Sequence, residues 1–89
     1  MTTKAPAEVN YFDDSVKIKK LYSAIDELRD VIIEDNDRNR LSFCINLYFE
    51  KEIGSLYDAI VQAKPNSSIY NFKVLEELVT KKLNEKGIN

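Results

Sequence analysis

Histidine is absent from this 89-residue sequence, cysteine occurs once, and glycine and proline occur twice each. Each scarcity removes a class of chemistry. General acid–base catalysis loses its usual residue. A single thiolate with no imidazole cannot close a zinc site, and Cys44 has no second cysteine for an internal disulfide. One unpaired cysteine on an apolar helix stripe reads as a small buried hydrophobe in a reducing, cytoplasmic setting. Gly54 and Gly87 cannot build a loop that cradles phosphate. Serines without histidine, or an equivalent lysine arrangement, give no activated nucleophile. No eighteen-residue apolar run exists, so no membrane span is expected. The N-terminal stretch lacks the apolar core of a signal peptide. Asn66-Ser67-Ser68 matches a glycosylation sequon, but without an export signal the match counts as chance. The expectation is therefore a protein that is not an enzyme, with no cofactor, no metal and no small-molecule substrate.

What is present is charge and helical periodicity. Charged residues make up 31% of the chain and the formal net charge is −2. A balance this even lacks the basic excess that general nucleic-acid binding leaves in a sequence. A domain of this size hides roughly 60–65% of its unfolded surface, so its stability is marginal and a partner chain is a natural source of further burial.

Residues 1–13 are mixed and polar, with Pro6 and no periodicity, and are expected to form a flexible arm. Tyr11 and Phe12 either cover the end of the first helix or belong to a docking motif, Tyr11-Phe12-Asp13-Asp14. Residues 14–89 are expected to be one all-α domain, an antiparallel three-helix bundle with helices over 15–35, 38–63 and 68–86. Asp14 or Ser15 can cap the first helix. Ile18, Leu21, Ile25, Leu28 and Ile32 form its stripe at spacings of three and four. Asp37 is the expected cap of the second. Along that helix Leu41, Cys44, Ile45, Tyr48, Phe49, Ile53, Leu56, Tyr57 and Ile60 share one broad stripe, interrupted only by Glu52. Phe43, Leu47, Gly54 and Val61 fall on the opposite face. A helix apolar on two faces is usually central to a bundle or to an assembly. Gly54 costs about 1 kcal/mol relative to alanine in a helix interior, which close approach of another backbone would explain. Lys64-Pro65-Asn66-Ser67-Ser68 ends the helix. Phe72, Leu75, Leu78, Val79 and Leu83 stripe the third helix, and Gly87 is placed to cap its C-terminus.

Four features break local rules or invite chemistry. Glu52 sits in an apolar stripe and must pair, reach solvent or change its protonation. Asp35, Asp37 and Asn39 copy the first ligands of a calcium loop, but Arg40 replaces the required glycine and Asn46 the bidentate glutamate. Glu34 and Asp35, read as the end of the first helix, and Arg38 and Arg40, at the start of the second, oppose the helix dipoles. They either neutralise one another across the turn or form a recognition tip. Phe43 and Leu47 are core if another helix covers them, and an interface if none does. Lys17, Lys19, Lys20 and Lys81, Lys82, Lys86 form two modest basic clusters.

Leu56-Tyr57-Asp58-Ala59-Ile60, followed by Pro65, Ser67, Ser68, Ile69 and Tyr70, resembles the C-terminal part of the small helical nucleoid-regulator family that docks on DNA-bridging proteins in enteric bacteria. The likeness spans 56–70 and requires an insertion, and membership is not assigned on it. It would imply a protein-binding modulator of transcription.

The functional expectation is a module that binds another protein, or a second copy of itself, and works by occlusion or scaffolding. Regulator, inhibitor or immunity protein, and chaperone all fit. The expected contacts are Phe43, Leu47, Tyr57 and Tyr70, with Glu34, Asp35, Arg38 and Arg40 as a polar rim. The alternative is a helical nucleic-acid-binding or nucleoid-associated modulator using the lysine clusters.

Overall fold

A computed structural model describes the backbone of residues 4–88 and the side chains of residues 15–88. Its regular elements are four helices: α1 (Lys4–Asp26), α2 (Asp35–Phe49), α3 (Leu56–Ala63) and α4 (Phe72–Glu85). No strand occurs among the described residues. The all-helical expectation is met, but the count is four rather than three. The arm expected over 1–13 falls on side chains outside the described part, as does the Tyr11-Phe12 motif, although the backbone is helical from Lys4. None of the described helices is long and apolar enough to cross a membrane.

The helix expected over 38–63 is divided at residues 50–55. Lys51 adopts a left-handed backbone with φ of 67°. Its N–H donates to the Tyr48 carbonyl at 3.0 Å, and the Glu52 N–H to the Leu47 carbonyl at 2.9 Å. These two bonds close the end of α2 on itself. Ser55 then starts α3, its hydroxyl accepting from the Asp58 N–H at 3.0 Å. Gly54 therefore lies in the turn and not inside a helix. A side chain there would meet only Asp58 Oδ2, at 3.9 Å, so close backbone approach is not the reason for the glycine. Glu52, the charged interruption of the apolar stripe, is exposed in the same turn.

The first helix also ends earlier than its periodicity suggests. Regular helix stops at Asp26, and residues 27–32 continue as tight turns, with Val31 N–H to Leu28 O and Ile32 N–H to Leu28 O. Leu28 and Ile32 stay buried although the backbone carrying them changes form, whereas Ile18, at the head of the same expected stripe, is 37% exposed. The start of α2 moves from 38 to 35. Asp35 and Asp37 thus lie in its first turn, where negative charge favours the dipole. Glu34 precedes that helix instead of ending the previous one.

At the other end of the chain the helix expected over 68–86 runs from Phe72 to Glu85, starting four residues later. Asn71 caps α4 by accepting from the Lys73 N–H at 2.9 Å. Gly87 takes φ of 75° after α4, which lets Ile88 N–H reach Leu83 O at 2.9 Å and buries Ile88 beside Leu83.

Packing forms a ring. Among the described residues α2 lies against α1 and α3, and α4 against α3 and α1. The shared core comprises Leu21, Ile25, Leu28 and Ile32 from the first segment, Leu41 and Ile45 from α2, Leu56 and Ile60 from α3, and Leu75, Val79 and Leu83 from α4. Cys44 is buried with them.

The two arginines that seemed to oppose the helix dipole hold this ring together. Arg38 is 7% exposed. Its Nη1 donates to the Ile32 and Ile33 carbonyls at 2.7 and 2.8 Å, its Nε to Asp26 at 3.0 Å, and its Nη2 to Asp35. Arg40 Nε donates to the Ala63 carbonyl at 2.6 Å, at the end of α3, and its Nη2 pairs with Asp37. A cation on the last carbonyls of a helix satisfies acceptors that the helix itself cannot. Arg38 thus pairs with Asp26 and Asp35, and Arg40 with Asp37, while no ion pair among the described residues includes Glu34.

Replacing Arg38 by methionine should cost about 2–4 kcal/mol, because buried carbonyls lose their donors while Asp26 and Asp35 can rehydrate. Arg38→Lys keeps the charge but not the fork and should fall between. Urea unfolding of the three proteins measures this. A loss below about 0.5 kcal/mol for Arg38→Met, the level of an ordinary surface change, would contradict the account.

Candidate interaction surface

Helical spacing places Arg40, Phe43 and Leu47 in one row on α2. Arg38, Ser42 and Ile45 turn inward and are buried, so Phe43 faces away from the core and is 54% exposed. Leu47 is half-buried against the core edge. Beside this row lies an open cleft of about 630 Å³, lined by Glu52, Ile53, Gly54, Asp58, Val61, Gln62 and Lys64. Two tethers fix the row to the cleft. Arg40 reaches the Ala63 and Lys64 carbonyls at one end. At the other, the Leu47 carbonyl accepts from the Glu52 and Ile53 amides. Phe43 lies between them. The result is an apolar strip of exposed Phe43 and Val61 and half-buried Leu47, with buried Ile53 at its cleft end, bordered by Arg40, Lys64, Glu52 and Asp58.

The remaining expected contacts do not join it. Tyr57 is half-buried and carries the Lys73 ammonium 4.8 Å from its ring centre. Tyr70 is 91% exposed in the loop before α4. Glu34 and Asp35 are exposed at the start of α2, where Asp35 is bonded to Arg38. Arg38 itself is enclosed, with its donors committed to the turn, and is part of the fold's framework. Ile53 and Val61 belong to the strip although they were not singled out as contacts. The signal for Val61 was present in its register with Phe43 and Leu47; the signal for Ile53 was hidden by the unforeseen turn.

A second cleft of about 450 Å³ lies on the other side of the 50–55 turn, lined by Tyr48, Phe49, Lys51, Ile53 and Gly54. Tyr48 and Phe49 form a tilted ring pair at 5.5 Å, and Lys17 sits 4.5 Å from the Phe49 ring centre. Two lysines of the C-terminal basic cluster are engaged inside the molecule, while Lys19, Lys20 and Lys81 are exposed. Lys86 and Lys82 both approach Glu27, at 2.6 and 3.4 Å, tying the end of α4 to the end of α1. Asp35 and Asp37, two members of the partial calcium pattern, are occupied by arginines. Among the described residues no group of three or more metal-ligating side chains comes together.

Two groups have shifted acidities. The hydrogen bond from Lys86 holds the Glu27 carboxyl below its ordinary value of 4.5; partial desolvation opposes this and Lys82 assists. Burial pushes the Cys44 thiol above its ordinary value of 9.0, with the Arg40 charge opposing. No family model, curated protein or solved structure matches the chain.

The depressed Glu27 value fixes the sign of a pH effect. The stability contributed by its pairing is present above the unfolded carboxylate value and disappears as pH falls through the lower folded value. Glu27→Gln should therefore lower the urea midpoint near neutrality and leave it unchanged in strong acid. A constant difference across that range would contradict the pairing. Native Cys44 should react with a thiol reagent about a hundredfold or more slower than in denaturant, because labelling requires opening of the core. Equal rates would place the thiol at the surface.

Proposed function

We propose that this chain is a small protein–protein interaction module that binds or occludes a partner protein through the Phe43 strip of α2 and the neighbouring α3 cleft. The observation that carries the reading is the exposure of Phe43. A large aromatic ring stands in solvent beside a partly covered leucine and a mixed cleft to which Ile53 and Val61 contribute apolar surface and Glu52, Asp58 and Lys64 charges of both signs. An aromatic anchor within a charged rim is the usual anatomy of a protein-binding surface. The mechanism requires no chemistry. The surface engages a partner's apolar side chains and either masks or positions them, as a regulator, inhibitor or chaperone would.

The rival reading, a nucleic-acid-binding or nucleoid-associated modulator, rests on the lysine clusters and on the likeness over 56–70. Engagement of Lys82 and Lys86 by Glu27 leaves that reading with less free positive charge.

The test is affinity capture from the native host with the wild-type chain and with Phe43→Ser in parallel. Phe43 is exposed enough that the variant should keep its helical circular-dichroism signal and its urea midpoint. A specific protein should be retained by the wild type and bind the variant about thirtyfold more weakly, the effect of losing one aromatic anchor. An identical set of bound proteins for both would overturn the assignment of this surface. Binding of random-sequence DNA with a steep loss of affinity as salt rises would favour the rival, and no binding at low salt would end it.

A further inference from the structure

The division between α2 and α3 lies in a sequence with the phase of a single helix. The buried residues of α3 are Leu56, Ala59, Ile60 and Ala63. Each lies eighteen residues after one of Arg38, Leu41, Ser42 and Ile45, all buried in α2. Eighteen residues make about five turns of α-helix, so an uninterrupted helix would place both sets on one face. The break is nevertheless held open by Lys51 in a left-handed conformation, with φ of 67°. A side chain with a Cβ adopts that conformation at a cost of about one unit of tenfold in equilibrium, and glycine avoids it. The turn is held by backbone bonds onto the Leu47 and Tyr48 carbonyls and by the Ser55 cap, with little side-chain packing. Glu50, Lys51, Glu52 and Gly54 are exposed, and Ile53 is the one buried apolar side chain in it. Glutamate and lysine are good helix formers, so the local preference of Glu50-Lys51-Glu52 runs toward helix.

We propose that the 50–55 turn is a hinge through which two copies of this chain exchange halves. In the exchanged dimer α2 and α3 run on as one helix. The α3–α4 unit of each copy then packs on the α1–α2 unit of the other. The contacts that join these units are remade without loss: the α2–α3 and α1–α4 packing, Arg40 on the Ala63 carbonyl, and Lys86 on Glu27. Exchange releases Lys51 from its left-handed conformation and adds helical backbone bonds. Against this stands the entropy of bringing two chains together, so the equilibrium depends on concentration. Short connections under strain are the usual site of such exchange. The inference does not depend on the Phe43 strip; exchange keeps Phe43 on α2 but remakes the end of the strip formed by Ile53 and the Leu47 carbonyl bonds.

The test refolds the wild-type chain at high concentration and reads mass by light scattering on a size-exclusion column. Two variants move the hinge in opposite directions. Lys51→Gly relieves the closed turn and should lower the dimer-to-monomer constant by about tenfold or more. The double variant Lys51→Ala with Gly54→Ala favours continuous helix and should raise it by a similar factor. Exchange is separated from side-by-side pairing by refolding unlabelled and ¹⁵N-labelled chains together. A zero-length carbodiimide then joins the Glu27 carboxylate to the Lys86 amine. An exchanged dimer gives cross-linked peptide pairs of mixed isotope. A dimer with only same-isotope pairs would overturn the proposal. So would a single-chain mass for both the wild type and the double variant at their highest soluble concentrations, with circular dichroism confirming that both are helical. Because the hinge variants leave Phe43 in place, failure here and failure of the capture experiment are separate results.

Discussion

The enclosed guanidinium of Arg38 is the interaction on which the arrangement of this chain depends. The turns that follow α1 cannot run on into α2, because the carbonyls of Ile32 and Ile33 turn onto Arg38 and stand outside a helical ladder. The same side chain binds Asp26 behind it and Asp35 ahead of it. One fork therefore closes the first segment and orients α2. Arg40, two residues later, does the corresponding work for the end of α3. Enclosing a cation is costly unless its donors are satisfied. Here four of its five N–H groups have partners, and no buried side-chain polar atom among the described residues lacks one.

The apolar stripes were legible because periodicity reports which face is buried. Leu21, Ile25, Leu28 and Ile32 were assigned to the core from spacing alone and are buried. Gly87 was legible because its capping role follows from local chemistry, whereas Asn71, which caps α4, was not singled out. The break within the central helix was not, because the apolar phase of α3 repeats that of α2 and nothing in the hydrophobic pattern marks an interruption. The closing residue is Lys51, not a glycine, so the usual signal of a helix end was missing. Gly54 was noticed, but was given a packing role when it belongs to a turn. Arg38 was legible as an anomaly of charge. Its solution required knowing that the carbonyls of residues 32 and 33 face it, which is a tertiary fact.

The candidate surface follows from the same constraints. With Arg38, Ser42 and Ile45 turned inward, Phe43 has no choice but to face out. Because Arg40 is fastened to the end of α3, the Phe43 row lies alongside the α3 cleft and does not diverge from it. The geometry that explains the fold thus also explains why an aromatic ring and the α3 cleft share one side of the molecule. Tyr57 and Tyr70 share the residue type of such a surface but not its place.

The central claim is that Arg38 is locked between the end of α1 and the start of α2. Hydrogen exchange of arginine Nε–H groups, followed by NMR in the native protein, addresses it residue by residue. Arg29, which is exposed, supplies an internal reference. The account predicts that Arg38 Nε–H exchanges far more slowly than Arg29 Nε–H and gives a shifted, dispersed signal. Equal exchange for the two would mean that Arg38 is solvated, and that the helices are held in place by something else.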